Sequence, residues 1–153
     1  MASNQTATRH STLLLVAAAL LTATTWGCSS DEKQTYPVKG KLVWDDGGNA
    51  QQLAGGMVIF QCDAEQISAK APIDEAGGFL LGTYALDDGA VAGQHKVAII
   101  QPASESGDYN PREIVDRSQE RIETTDLVVT IEPKPNDLIL KLKPGAWTKK
   151  QKR

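Results

Sequence analysis

Histidine is scarce in this sequence: two occur in 153 residues, His10 and His95. A catalytic triad needs three converging groups. The single histidine beyond the amino-terminal segment sits inside a strand-like run, so it reads as a packed or half-exposed side chain, no catalytic residue is assigned, and the chain is not expected to be an enzyme. Cysteine is equally rare, with Cys28 and Cys62 alone; the shortage of both residue types argues against a zinc site, and no cofactor is implied. Positive charge does not dominate. Lys and Arg total 16 against 19 Asp and Glu, a net charge of −3, which lacks the cationic excess of a nucleic-acid binder. Long apolar runs are missing as well: Leu13 to Leu21 has nine residues, where a membrane-spanning helix takes about 20, so no transmembrane anchor is expected. Aromatic residues make up 5% and Gly is frequent, scattered between short apolar runs in the manner of short strands joined by tight turns.

The first residues, Met1 to Thr12, are polar and hold Arg9 and His10 but no acid. With the apolar run behind them they read as an export signal. Thr25-Trp26-Gly27-Cys28 follows, then the polar stretch from Ser29 to Thr35. This resembles a bacterial lipobox, in which a small residue precedes the modified cysteine. Gly27 fits the pattern; Thr25 and Trp26 depart from it. The resemblance implies cleavage after Gly27, a diacylglyceryl group on the Cys28 sulfur, and acylation of the new amino terminus. Several acyl chains hold a protein durably to a membrane, where one binds reversibly. Ser29, in place of Asp, resembles the sorting signal for the outer membrane or cell surface over the inner membrane. The competing reading is an ordinary secretory leader, with Cys28 free to pair with Cys62. Otherwise Cys62, inside the run Met57 to Cys62, reads as a buried inert thiol.

From Tyr36 onward the chain alternates. Val38, Gly40, Leu42 and Trp44 fall on one side of an extended segment that ends at Asp45-Asp46-Gly47-Gly48. Met57 to Cys62 is apolar on both sides and suits a central strand. Ile67 to Ile73 and Phe79 to Tyr84 flank the turn Asp74 to Gly78, which predicts a hairpin. His95, Val97 and Ile99 alternate with Lys96, Ala98 and Ile100. Residues Ala103 to Thr125 form a long irregular stretch, with a short helix expected from Pro111 to about Gln119 because Asn110-Pro111 offers a cap and a first-turn proline. Two last strands, Leu127 to Ile131 and Asp137 to Lys143, are separated by two prolines, and Leu138, Leu140 and Leu142 share a face. About seven strands with regular turn signals predict an all-β Greek-key sandwich.

The motifs Tyr36-Pro37-Val38-Lys39-Gly40-Lys41-Leu42, Leu53 to Phe60, Ile73 to Phe79, Gly89 to Val97 and Glu123 to Ile131 with Pro135 to Leu138, taken in order, resemble carboxypeptidase-regulatory-like or transthyretin-like (prealbumin-like) domains. The resemblance covers roughly residues 36–143 and implies an accessory or binding module. The hydroxyisourate hydrolases of that superfamily end in Tyr-Arg-Gly-Ser; this chain ends in Lys-Lys-Gln-Lys-Arg. The organisation expected is therefore a signal peptide over 1–27, a tether over 28–35, the sandwich over 36–143 and a basic tail over 144–153. Asp45, Asp46, Asp74, Glu75, Asp87 and Asp88 read as turn residues in preference to calcium ligands. Trp147 and the cations behind it read as a solvated terminus, with contact to anionic lipid as the rarer role. The expected function is a membrane-anchored, non-enzymatic binding or structural module at the cell envelope, its partner an envelope protein or polysaccharide. The alternative is a hydrolase or carbohydrate-handling accessory with a site in residues 103–125 and the turn carboxylates.

Overall fold

The computed structural model describes residues 32–103 and 112–152; Cys28 with the leader, and positions 104–111 of the long irregular stretch, lie outside these residues. Alternation does what period-two patterning requires: Val38, Leu42 and Trp44 of β2 (Val38–Trp44) are buried while Lys39 and Lys41 face water. The same pattern shapes β3 (Met57–Cys62), β4 (Ile67–Pro72) and β9 (Asn136–Leu142). Between them lie the short β5 (Gly78–Leu80), the long β7 (Gly93–Ile100) and β8 (Val128–Ile131). A two-residue ribbon pairs β1 (Thr35–Tyr36) with β6 (Ala90–Val91).

The strands assemble into an antiparallel sheet of order β4-β3-β7-β8 and a three-stranded sheet of order β5-β2-β9, in which β2 and β9 run parallel over Val38 to Trp44. Leu42, Trp44, Leu140 and Leu142 from one sheet and Val58, Phe60, Val97 and Ile99 from the other belong to one buried cluster. Each such side chain contributes about 1.5–3 kcal/mol on leaving water. Phe60 and Phe79 meet across the layers with ring centroids 5.8 Å apart, and the result is an all-β sandwich.

Two glycines mark where backbone and core come too close for a side chain. A Cβ on Gly40 would stand 2.3 Å from the Phe79 ring, and one on Gly89, at φ +93°, would stand 1.9 Å from the Tyr36 carbonyl oxygen.

Three features differ from expectation. The turn at Asp74 does not close a hairpin: β4 pairs with β3, β5 pairs with β2, and only a bridge between Lys70 and Gly82 joins the segments. Asp74 Oδ1 accepts from the backbone nitrogens of Ala76 and Gly78, turning the chain so that Phe79 enters the core. No α-helix covers residues 112–119; a short 3-10 helix at Arg117–Glu120 stands at the end of that stretch instead, capped by Asp116, whose Oδ1 accepts from Ser118 N at 3.0 Å. The basic tail is not a loose end either, since Ala146–Gln151 forms helix α1. Thr148 Oγ1 donates to the Ile114 carbonyl at 2.7 Å, Arg112 lies over the Trp147 ring, and Lys152 pairs with Asp46 while covering the Trp44 ring.

Candidate functional site

The alternation of β7 carries Ile99 inward and Ile100 outward, and just past the strand Gln101 turns to the segment that returns toward β8. Gln101 Oε1 accepts from Ile114 N at 2.5 Å, and its amide donates to the Glu120 carboxylate. That side chain therefore splices the strand end to the 3-10 turn. Gln119, 1% exposed, makes the second splice: its Oε1 accepts from Lys143 N at 2.8 Å and its Nε2 donates to Asp126 Oδ1 at 2.9 Å. Between these fixtures lies a groove of about 670 Å³ lined by Ile99, Ile100, Gln101, Glu113, Arg117, Ser118, Glu120, Arg121 and Thr124.

The groove has an apolar floor and a rim of both charge signs. Ile100 is 45% exposed. Arg117 pairs with Glu113 at 3.6 Å, and Arg121 with Glu123 at 3.9 Å. Burial pushes the Glu120 carboxyl above the usual range, against the opposing pull of Arg117 and the Gln101 hydrogen bond. Asp116 is held below its usual range, first by the Ser118 hydroxyl and then by the Ser118 backbone. Ser118 thus gives its hydroxyl proton to a structural contact, at 2.7 Å from Asp116 Oδ1.

His95 lies apart from this groove and is fully enclosed. Its Nε2 donates to the Val91 carbonyl at 2.9 Å, Nδ1 has no partner among the described residues, and burial lowers its affinity for a proton. Three of the six turn carboxylates, Asp46, Asp74 and Asp88, are also spent on local structure. Asp88 collects the backbone N–H groups of Thr83, Tyr84 and Ala85. Asp46 caps Gly48 and holds Lys152, whose hydrogen bond keeps its carboxyl low. Among the described residues no three His, Cys, Asp or Glu side chains come together as a metal would need. Cys62 is buried with a free thiol, and Cys28 lies outside the described residues.

No family model, curated protein or solved structure significantly matches this chain.

The sequence pointed to residues 103–125 as a region but not to Gln101, Glu113, Arg117, Glu120 or Arg121. Their signal was weak, because irregular segments carry no period that separates inward from outward side chains. The Asp116-x-Ser118 cap was the one local pattern that could have located the turn.

Proposed function

We propose that this chain is a lipid-anchored lipoprotein of the bacterial cell envelope, facing outside the cytoplasm, whose transthyretin-like sandwich is a non-enzymatic module that binds an envelope partner in the groove beside β7. The observation that carries this reading is where the reactive groups sit. His95 is sealed beneath its strand and Asp74 and Asp88 hold their own turns, while the groove beside β7 offers an isoleucine floor ringed by glutamates and arginines. An apolar centre with a polar rim is the anatomy of a protein interface. None of the described lining residues is aromatic, so none of them offers a ring on which a sugar could stack, and this favours a protein partner over a polysaccharide.

Two measurements test the two halves. In cell fractionation, the wild type is expected in the membrane fraction and Cys28→Ala in the soluble one; equal release of both would remove the anchor. A photo-crosslinker at Arg121 in intact cells is expected to capture a partner that the same crosslinker at Val128 misses. Ile100→Asp should weaken that capture by about 2 kcal/mol or more, the cost of disturbing a central contact. Equal adducts at both positions would remove the groove.

The hydrolase alternative draws on one observation, the Glu120 carboxyl raised by burial, which is the direction a general acid needs. It requires a hydrolytic activity of the wild type that Glu120→Gln abolishes.

A further inference from the structure

A second surface lies at the opposite edge of the four-stranded sheet from β8, where Lys70 of β4 bridges to Gly82. The loop from Thr83 to Asp88 is stiffly built: the Asp88 carboxylate accepts from Thr83 N at 2.6 Å and from Tyr84 N and Ala85 N at 3.1 Å, and Thr83 Oγ1 donates to the Gly89 carbonyl at 2.7 Å. What this frame holds out is apolar. Leu86 is 93% exposed at the tip, with Tyr84 at 41% and Leu80 at 52% lining the depression beside it. Scattered single leucines on a surface need no account, but a braced loop that lifts one into water next to two further apolar side chains does.

The chain entering the sandwich is fixed to this same loop. Lys33 N donates to the Tyr84 hydroxyl at 3.0 Å, and Lys33 Nζ pairs with Glu65 at 3.0 Å. Only four residues lie between Cys28 and Lys33, so even a fully extended tether of five steps reaches about 17 Å. A bilayer holding acyl chains on Cys28 therefore stands within that distance of Tyr84.

We propose that the loop Thr83 to Asp88 is a membrane-interface contact, with Leu86 entering the acyl boundary and the amphipathic Tyr84 at headgroup level. It would fix the orientation of the sandwich on the bilayer that holds its anchor. Tyrosine favours that depth because its ring is apolar and its hydroxyl polar, and Lys70 at the edge of the depression keeps its ammonium among headgroups. The proposal rests on the lipid-anchor reading above.

The test uses the full acylated chain in vesicles of phosphatidylcholine and phosphatidylglycerol doped with a spin-labelled lipid. Leu86→Cys and Val128→Cys each receive an environment-sensitive fluorophore; Cys62 is buried and does not compete. Val128 is also exposed, at 50%, but stands on the far edge strand. The expected result is that the spin label quenches the probe at position 86 severalfold more than the probe at position 128. Protein that floats with the vesicles but shows equal quenching at both positions overturns the contact and leaves the anchor standing. Protein that does not float overturns the anchor, and the contact falls with it.

Discussion

His95 illustrates how one side chain can be read two ways and decided by its surroundings. Its ring is tilted against Phe60 at 6.1 Å between centroids and, among the described residues, its one side-chain hydrogen bond goes to Val91, so protonation would leave a buried cation with no counter-charge among those residues. Burial lowers its folded pKa below 6.5. The unfolded chain therefore takes up a proton first as pH falls, and the stability present above pH 6.5 is lost below it, by up to about 1.4 kcal/mol for each pH unit. Glu120 acts with the opposite sign, since its raised pKa means that the folded state gains a proton first. Asp46, Asp116 and Asp126, all held low, lose their contribution only in the lower window beneath pH 3.8. Comparison of variants isolates the histidine: between pH 7.5 and 5.5, urea unfolding should show a smaller loss of stability in His95→Leu than in the wild type. Equal losses would mean that the ring reaches water.

At the level of elements, Gln119 is the residue on which the return segment depends. Gln119→Ala removes the acceptor of Lys143 N and the donor to Asp126, leaving a part-buried N–H unpaired beside a small cavity. A loss of about 2–3 kcal/mol in denaturant unfolding is expected, from two hydrogen bonds and the space left behind. Such elements were the least legible ones. The positions of β2, β7 and β9 follow from alternation because one face of each strand meets a core more fully than the other, a difference written in successive residues, while β3 shows itself as a short run apolar on both sides. The corner at Asp74 suggests a hairpin that does not form; its turn chemistry is the same whether the next strand folds back or crosses over. That choice is made by Phe79 fitting the space over Gly40, residues far apart in the chain. Helix α1 was hidden for a related reason. Its lysines suggest a solvated end, while the contacts that fasten it, Thr148 to Ile114 and Trp147 to Arg112, are made with a segment more than 30 residues away. The groove could not be marked from a local pattern, because Gln101 and Glu120 acquire their meaning only by meeting.

Across the whole molecule, the three-stranded sheet cannot be completed from neighbouring segments. β2 finds its long partner in β9, aligned residue for residue from Val38 with Asn136 to Trp44 with Leu142. Pairing of such high contact order is slow, because a large loop must be closed before it is rewarded. A version ending at residue 135 should therefore lack cooperative thermal unfolding and be digested rapidly by protease, whereas one ending at residue 143 keeps the paired strand and should retain a transition at reduced temperature. Indistinguishable behaviour of the two would show that β9 is dispensable. If the chain is exported as proposed, the parallel seam acts as a delay: its early strand waits, unmatched, until the late one has emerged on the far side. Under that proposal the polypeptide stays pliable enough to be translocated and locks only after delivery.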